Sequence, residues 1–87
     1  MNTKQNVKKL LRDLTNLESC IFTAKEKAEV DRFTQVGEYG LALETAVDIY
    51  AEENKEPTED FVSKVIQVAE ALEMETLPLV SKMHTKH

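Results

Sequence analysis

Residues 38–53 read EYGLALETAVDIYAEE, and this stretch decides the fold. At 100° per residue, Tyr39, Ala42, Leu43, Ala46, Val47, Ile49 and Tyr50 fall on one side of a helix and cover nearly half of its circumference. An apolar face that wide needs neighbours on more than one side, so it predicts the central helix of a bundle. The opposite side is also unusual. Glu44, Asp48 and Glu52 recur at i, i+4 and i+8 and stack along one line, with Leu41 projecting among them. No Lys or Arg occurs between residues 38 and 53 to relieve them. Like charges at this spacing weaken a helix by roughly 0.2–0.5 kcal/mol per pair.

Working outward, the spacing predicts three more helices and no strand. On the N-terminal side, Val7, Leu10, Leu11, Leu14, Leu17 and Ile21 make one apolar stripe, predicting a helix over residues 3–22. Lys4, Lys8 and Arg12 lie away from that stripe and read as a solvated basic face. Thr23-Ala-Lys-Glu26 has the form of a capping box and opens a second helix, 24–36, with a thin stripe of Val30, Phe33 and Val36. Gly37 is its natural stop. The central helix then spans 38–53, and a loop covers Asn54 to Glu56.

Pro57 and Thr58 fit a helix start, with Glu59 and Asp60 in the first turn where acids complement the helix dipole. Phe61, Val62, Val65, Val68, Ala69 and Leu72 make the stripe of this last long helix, 58–74. These residue types favour strands, but their spacing is helical over three turns. Pro78 reads as the end or interruption of that helix, and 78–83 as one more short turn in which Leu77, Leu79, Val80 and Met83 close the core. Lys82 to His87 read as a frayed end. The expected architecture is all-α: a small compact bundle of about four helices in a single domain over 1–87, with neighbours antiparallel because the connections are short.

Bulk properties narrow the function. At 87 residues, with 41% hydrophobic and 31% charged residues, the chain suits one soluble domain and is too apolar for disorder. It has no apolar run near the ~18 residues of a membrane span and no opening signal segment, so a cytoplasmic, membrane-free location is expected. Cys20 is the sole cysteine, so no internal disulfide is possible, and it reads as a small buried hydrophobe. The net charge of −5 is uneven: residues 38–75 carry eleven acids and two bases, a net of −9. Phosphate backbones repel such a surface, which argues against direct nucleic-acid binding, whereas a basic protein surface attracts it.

The residues for catalysis are missing. The two histidines, His84 and His87, lie in the C-terminal tail, and there is no Gly-rich phosphate loop, CxxC or Ser/His/Asp set. A bundle di-metal site needs inward Glu-x-x-His patterns, and the acids here point outward. The reading is a non-enzyme with no cofactor and no metal. Tyr39 and Tyr50 read as core-edge residues whose hydroxyls reach water, Tyr50 being a possible partner contact. The acidic line on the central helix reads either as a solubilising face or as a docking face. A leucine among acids favours docking, since charge steers a partner and a buried apolar anchor holds it. The candidate partner-binding residues are Leu41, Glu44, Asp48 and Glu52, helped by Glu53, Glu59 and Asp60.

One segment carries a resemblance. Gly37-Glu-Tyr-Gly-Leu-Ala-Leu-Glu44, an acid-rich helix, a Pro-Thr helix start and an apolar helix ending Ala-Leu-Glu-Met74 together resemble the MafI family of bacterial immunity proteins. The similarity covers roughly residues 23–76. It implies an antidote, made with a polymorphic or contact-delivered toxin, that neutralises the toxin's C-terminal domain in a 1:1 complex. That partner is commonly a nuclease, often one that cuts RNA. It also implies that Tyr39 and Leu43 serve the core and that Gly37 and Gly40 allow a tight turn and close packing. The chain departs from the family in lacking a Trp after its last helix. The alternative expectation is a small structural or regulatory helical module, monomeric or homodimeric, whose acidic face only keeps it soluble.

Overall fold

The computed structural model describes residues 3–18, 20–53 and 56–84, with side chains from Asn6 onward. The described residues form five helices: α1 (Thr3–Thr15), α2 (Ala24–Gln35), α3 (Tyr39–Glu52), α4 (Glu59–Ala71) and α5 (Thr76–His84). No strand occurs among the described residues. The all-α expectation therefore holds, with one helix more than the four expected from spacing.

The extra helix and the revised boundaries have local causes. α1 stops at Thr15, seven residues before the expected end. The Thr15 hydroxyl donates to the Arg12 carbonyl (3.1 Å), and Asn16 engages the Lys27 ammonium, which commits the chain to a turn. Leu17, Cys20, Ile21 and Phe22 still pack on the core, but as irregular chain. Burial at helical spacing does not require that the backbone stay helical.

α2 begins at the expected capping box: Glu26 N–H donates to Thr23 Oγ1 (3.1 Å) and Thr23 N–H donates to Glu26 Oε1 (3.0 Å). It ends in a Schellman motif. Glu38 N–H donates to the Phe33 carbonyl and Gly37 N–H to that of Thr34, with Gly37 at φ +80°. Val36, expected on the apolar stripe, lies outside it and is 68% exposed, because it caps the helix instead of continuing it.

α3 buries Ala42, Leu43, Ala46, Val47, Ile49 and Tyr50 and is the most enclosed helix, as its sequence requires. It packs most extensively on α2 and α5. Asn54 and Lys55 of the expected loop lie outside the described residues.

Thr58 caps α4 through its side chain, with Phe61 N–H donating to Oγ1 (3.2 Å). α4 ends at Ala71 in a second Schellman motif: Met74 N–H donates to the Ala69 carbonyl and Glu73 N–H to that of Glu70. The left-handed position belongs to Glu73, at φ +58°, not to a glycine. Pro78 neither ends nor interrupts α4. It sits in the first turn of α5, where a missing N–H leaves no hydrogen bond unmade. Leu79 and Met83 close the core as expected, but Leu77 points away and is 74% exposed. Lys82 and His84 are helical, and residues 85–87 of the expected frayed end lie outside the described residues.

All five helices share one core. Phe22, Tyr50 and Phe61 form its aromatic centre, with ring centroids 4.1 to 5.9 Å apart. The radius of gyration is 11.8 Å, against about 12 Å for a compact chain of this length.

Candidate partner-binding face

α3 and α5 run parallel and in step. Met74 lies beside Gly40, and Lys82 of α5 makes an ion pair with Asp48 of α3. Residue 74 follows 40, and 82 follows 48, by the same 34 positions. Between these contacts lies a cleft of about 380 Å³, lined by Glu44, Val47, Asp48, Pro78, Leu79 and Lys82.

α3 turns its acidic line outward. Glu44 and Glu52 are exposed, Asp48 is half-buried, and Leu41 is 46% exposed on the same arc. Successive acids are four residues apart, so the carboxylate positions climb the helix in steps of ~6 Å. The structure thus brings together four of the seven expected residues. Glu53 follows them as the exposed C-cap of α3. Glu59 and Asp60 are exposed in the first turn of α4. Glu59 lines a different depression, a groove of about 660 Å³ between α4 and the end of α5 that also includes Val62, Ile66, Glu70 and His84. α5 stands between that groove and the α3 line.

Lys82 is the residue that sequence reasoning missed. No base lies within residues 38–53, but one arrives from α5. The Lys82 ammonium is held above its usual pKa, first by its hydrogen bond to Asp48; slight desolvation opposes this, and the charges of Asp48, Glu44 and Glu52 add to it. The only hint in the sequence was the basic balance of the last twelve residues, which names no partner. Asp48 is therefore engaged within the fold, while the Glu44 and Glu52 carboxylates flank the pair.

Tyr39 sits at the core edge as expected, and Tyr50 does not. Tyr39 is half-buried, but Tyr50 is 1% exposed and offers no surface to a partner. Its hydroxyl is buried without a hydrogen-bond partner among the described residues. Burial pushes its pKa up to about 12; the nearby Ile21 backbone pulls the other way, but its geometry falls short of a hydrogen bond. Cys20 is half-buried under the same cover, and burial raises its thiol pKa as well. Gly40 is not needed for close packing either: a Cβ there would meet only Met74 Sδ, at an ordinary 4.0 Å.

Among the described residues no group of three or more His, Cys, Asp or Glu is placed to hold a metal ion. No helix among them is long and apolar enough to cross a membrane. Compared with family models, curated proteins and solved structures, the chain finds no match.

Proposed function

We propose that the chain is an immunity-type protein of the cytoplasm that neutralises a basic toxin domain by stoichiometric 1:1 binding, without catalysis of its own. The observation that carries this reading is the exposed arc of α3, where Leu41 stands among Glu44, Asp48 and Glu52. Asp48 is paired within the fold, but an isolated domain gains nothing from an exposed leucine beside the flanking Glu44 and Glu52. A partner with a basic cleft gains both steering and an anchor. A nuclease fits that description because its cleft must attract phosphates, and an acidic helix face competes for the same positive charge. An RNA-cutting domain is the preferred member of the class, on the resemblance described above.

The proposal predicts a toxin-domain gene adjoining this one, and the test uses a catalytically inactivated form of that domain, with surface plasmon resonance at two salt concentrations. Glu44 and Glu52 are the informative positions, because reversing Asp48 would also break its pair with Lys82. Glu44→Lys with Glu52→Lys should leave the fold intact, slow association and reduce the salt dependence of affinity. Wild-type rates for the folded double variant would show the acidic line to be solubilising only. Substrate turnover by the purified chain itself, persisting through repeated purification, would overturn the non-enzymatic reading.

A further inference from the structure

The α2–α3 and α4–α5 turns lie at the same end of the domain. α2 ends and α3 begins there, and the Met74–Gly40 contact brings the α4–α5 turn alongside. The large exposed hydrophobics of the described residues, Val36, Leu41 and Leu77, all belong to this end. Val36 caps α2, Leu41 lies in the first turn of α3, and Leu77 in the first turn of α5. Scattered surface hydrophobics need no explanation, but all three large ones among the described residues falling at one end, Leu41 where that end meets the α3 line, do. Exposed Glu38, Glu73 and Glu75 edge the same end. Glu73 holds the left-handed position that glycine fills in the matching turn of α2.

We infer that this end is the apolar anchor of the complex, where Val36, Leu41 and Leu77 seat on an apolar spot of the partner bordered by Lys or Arg. The inference rests on the toxin-binding reading and adds a second contact to the α3 line, joined to it at Leu41. Charge selects the occupant. A second copy of this chain docked end to end would bring Glu38, Glu73 and Glu75 against their own kind, whereas a basic protein finds each of them complementary.

The probe is the same inactivated toxin domain. Val36→Ser with Leu77→Ser alters side chains that are largely in solvent, so helicity and melting temperature should stay near wild type. Dissociation should speed at least ten-fold with little change in the association rate, the signature of a lost desolvated anchor. Unchanged dissociation of the folded double variant, with wild-type chain binding normally, overturns the anchor and leaves the α3 reading standing. Failure of wild-type chain to bind overturns both. Sedimentation equilibrium supplies a separate check: a dimer of the chain alone, abolished by the same double variant, would assign this end to self-association and overturn the inference.

Discussion

Replacing Tyr50 by Phe should make the protein more stable. The hydroxyl is buried in the aromatic centre of the core and has no hydrogen-bond partner among the described residues. Leaving such a group unsatisfied costs ~1–3 kcal/mol, and removing it restores that amount less the few dispersion contacts of one oxygen, each ~0.1–0.2 kcal/mol. The net gain is ~1 kcal/mol, which in a domain of this size raises the melting temperature by roughly 4–8 °C. The pH dependence provides a second reading. The folded hydroxyl titrates near 12 instead of its ordinary 10.0. Below pH 10 both folded and unfolded chains keep the proton and Tyr50 adds no pH dependence. Between pH 10 and 12 the unfolded chain releases it and the folded chain does not, so wild type loses up to ~1.4 kcal/mol per pH unit. The Phe variant lacks this loss, and every other group cancels in the difference between the two proteins. Urea denaturation of both from pH 8 to 12 should give a gap that is constant to pH 10 and then widens. A destabilised Phe variant, or a gap that stays flat to pH 12, would mean that the hydroxyl is satisfied in the fold and that the Ile21 backbone is its partner.

Leu43→Ala removes a fully buried side chain from α3 and should cost ~2–5 kcal/mol in denaturant unfolding; an unchanged midpoint would mean the core face is misassigned. Gly40→Ala should stabilise by ~0.5–1 kcal/mol, because the helix gains a better former and the new methyl meets nothing closer than 4.0 Å. Glu73→Gly relieves a left-handed residue worth ~1–2 kcal/mol and gives back ~0.4–1 kcal/mol in unfolded-chain entropy, so thermal melting should show no loss and a gain of up to ~1.5 kcal/mol. The matching change Gly37→Ala, at φ +80°, should destabilise.

The helix stops at 37 and the starts at 23 and 58 were legible because each is written in a few adjacent residues: a glycine, a capping box, a threonine after a proline. The broad face of α3 was legible because burial over four turns leaves a periodic record. Elsewhere local signals misled. Leu17 and Ile21 keep helical spacing without helical backbone, so the stripe of α1 continued past the helix itself. The stop after α4 is carried by Glu73, a residue type that seldom marks one, and Pro78 drew the boundary to the wrong place. The acidic line on α3 was visible from its spacing, but its counter-ion lies 34 residues away and was set by the parallel packing of α5. The end formed by Val36 and Leu77 was hidden for the same reason: each read as core along its own segment, and only the turns of the folded chain put them in solvent.

The pairing of α3 with α5 is a ladder with equal rungs. Glu44, Asp48 and Glu52 repeat at one-turn intervals, so sliding α5 by a turn, ~5–6 Å, would hand Lys82 from Asp48 to Glu44 or Glu52 with little change in Coulomb energy. The ion pair is nearly degenerate with respect to register and cannot choose it. The choice falls to steric keys, Leu79 and Met83 in their core seats. Shrinking those keys would cost the molecule its single alignment before it cost it a salt bridge, and the result would be two or more shifted states of α5, each with its lysine paired.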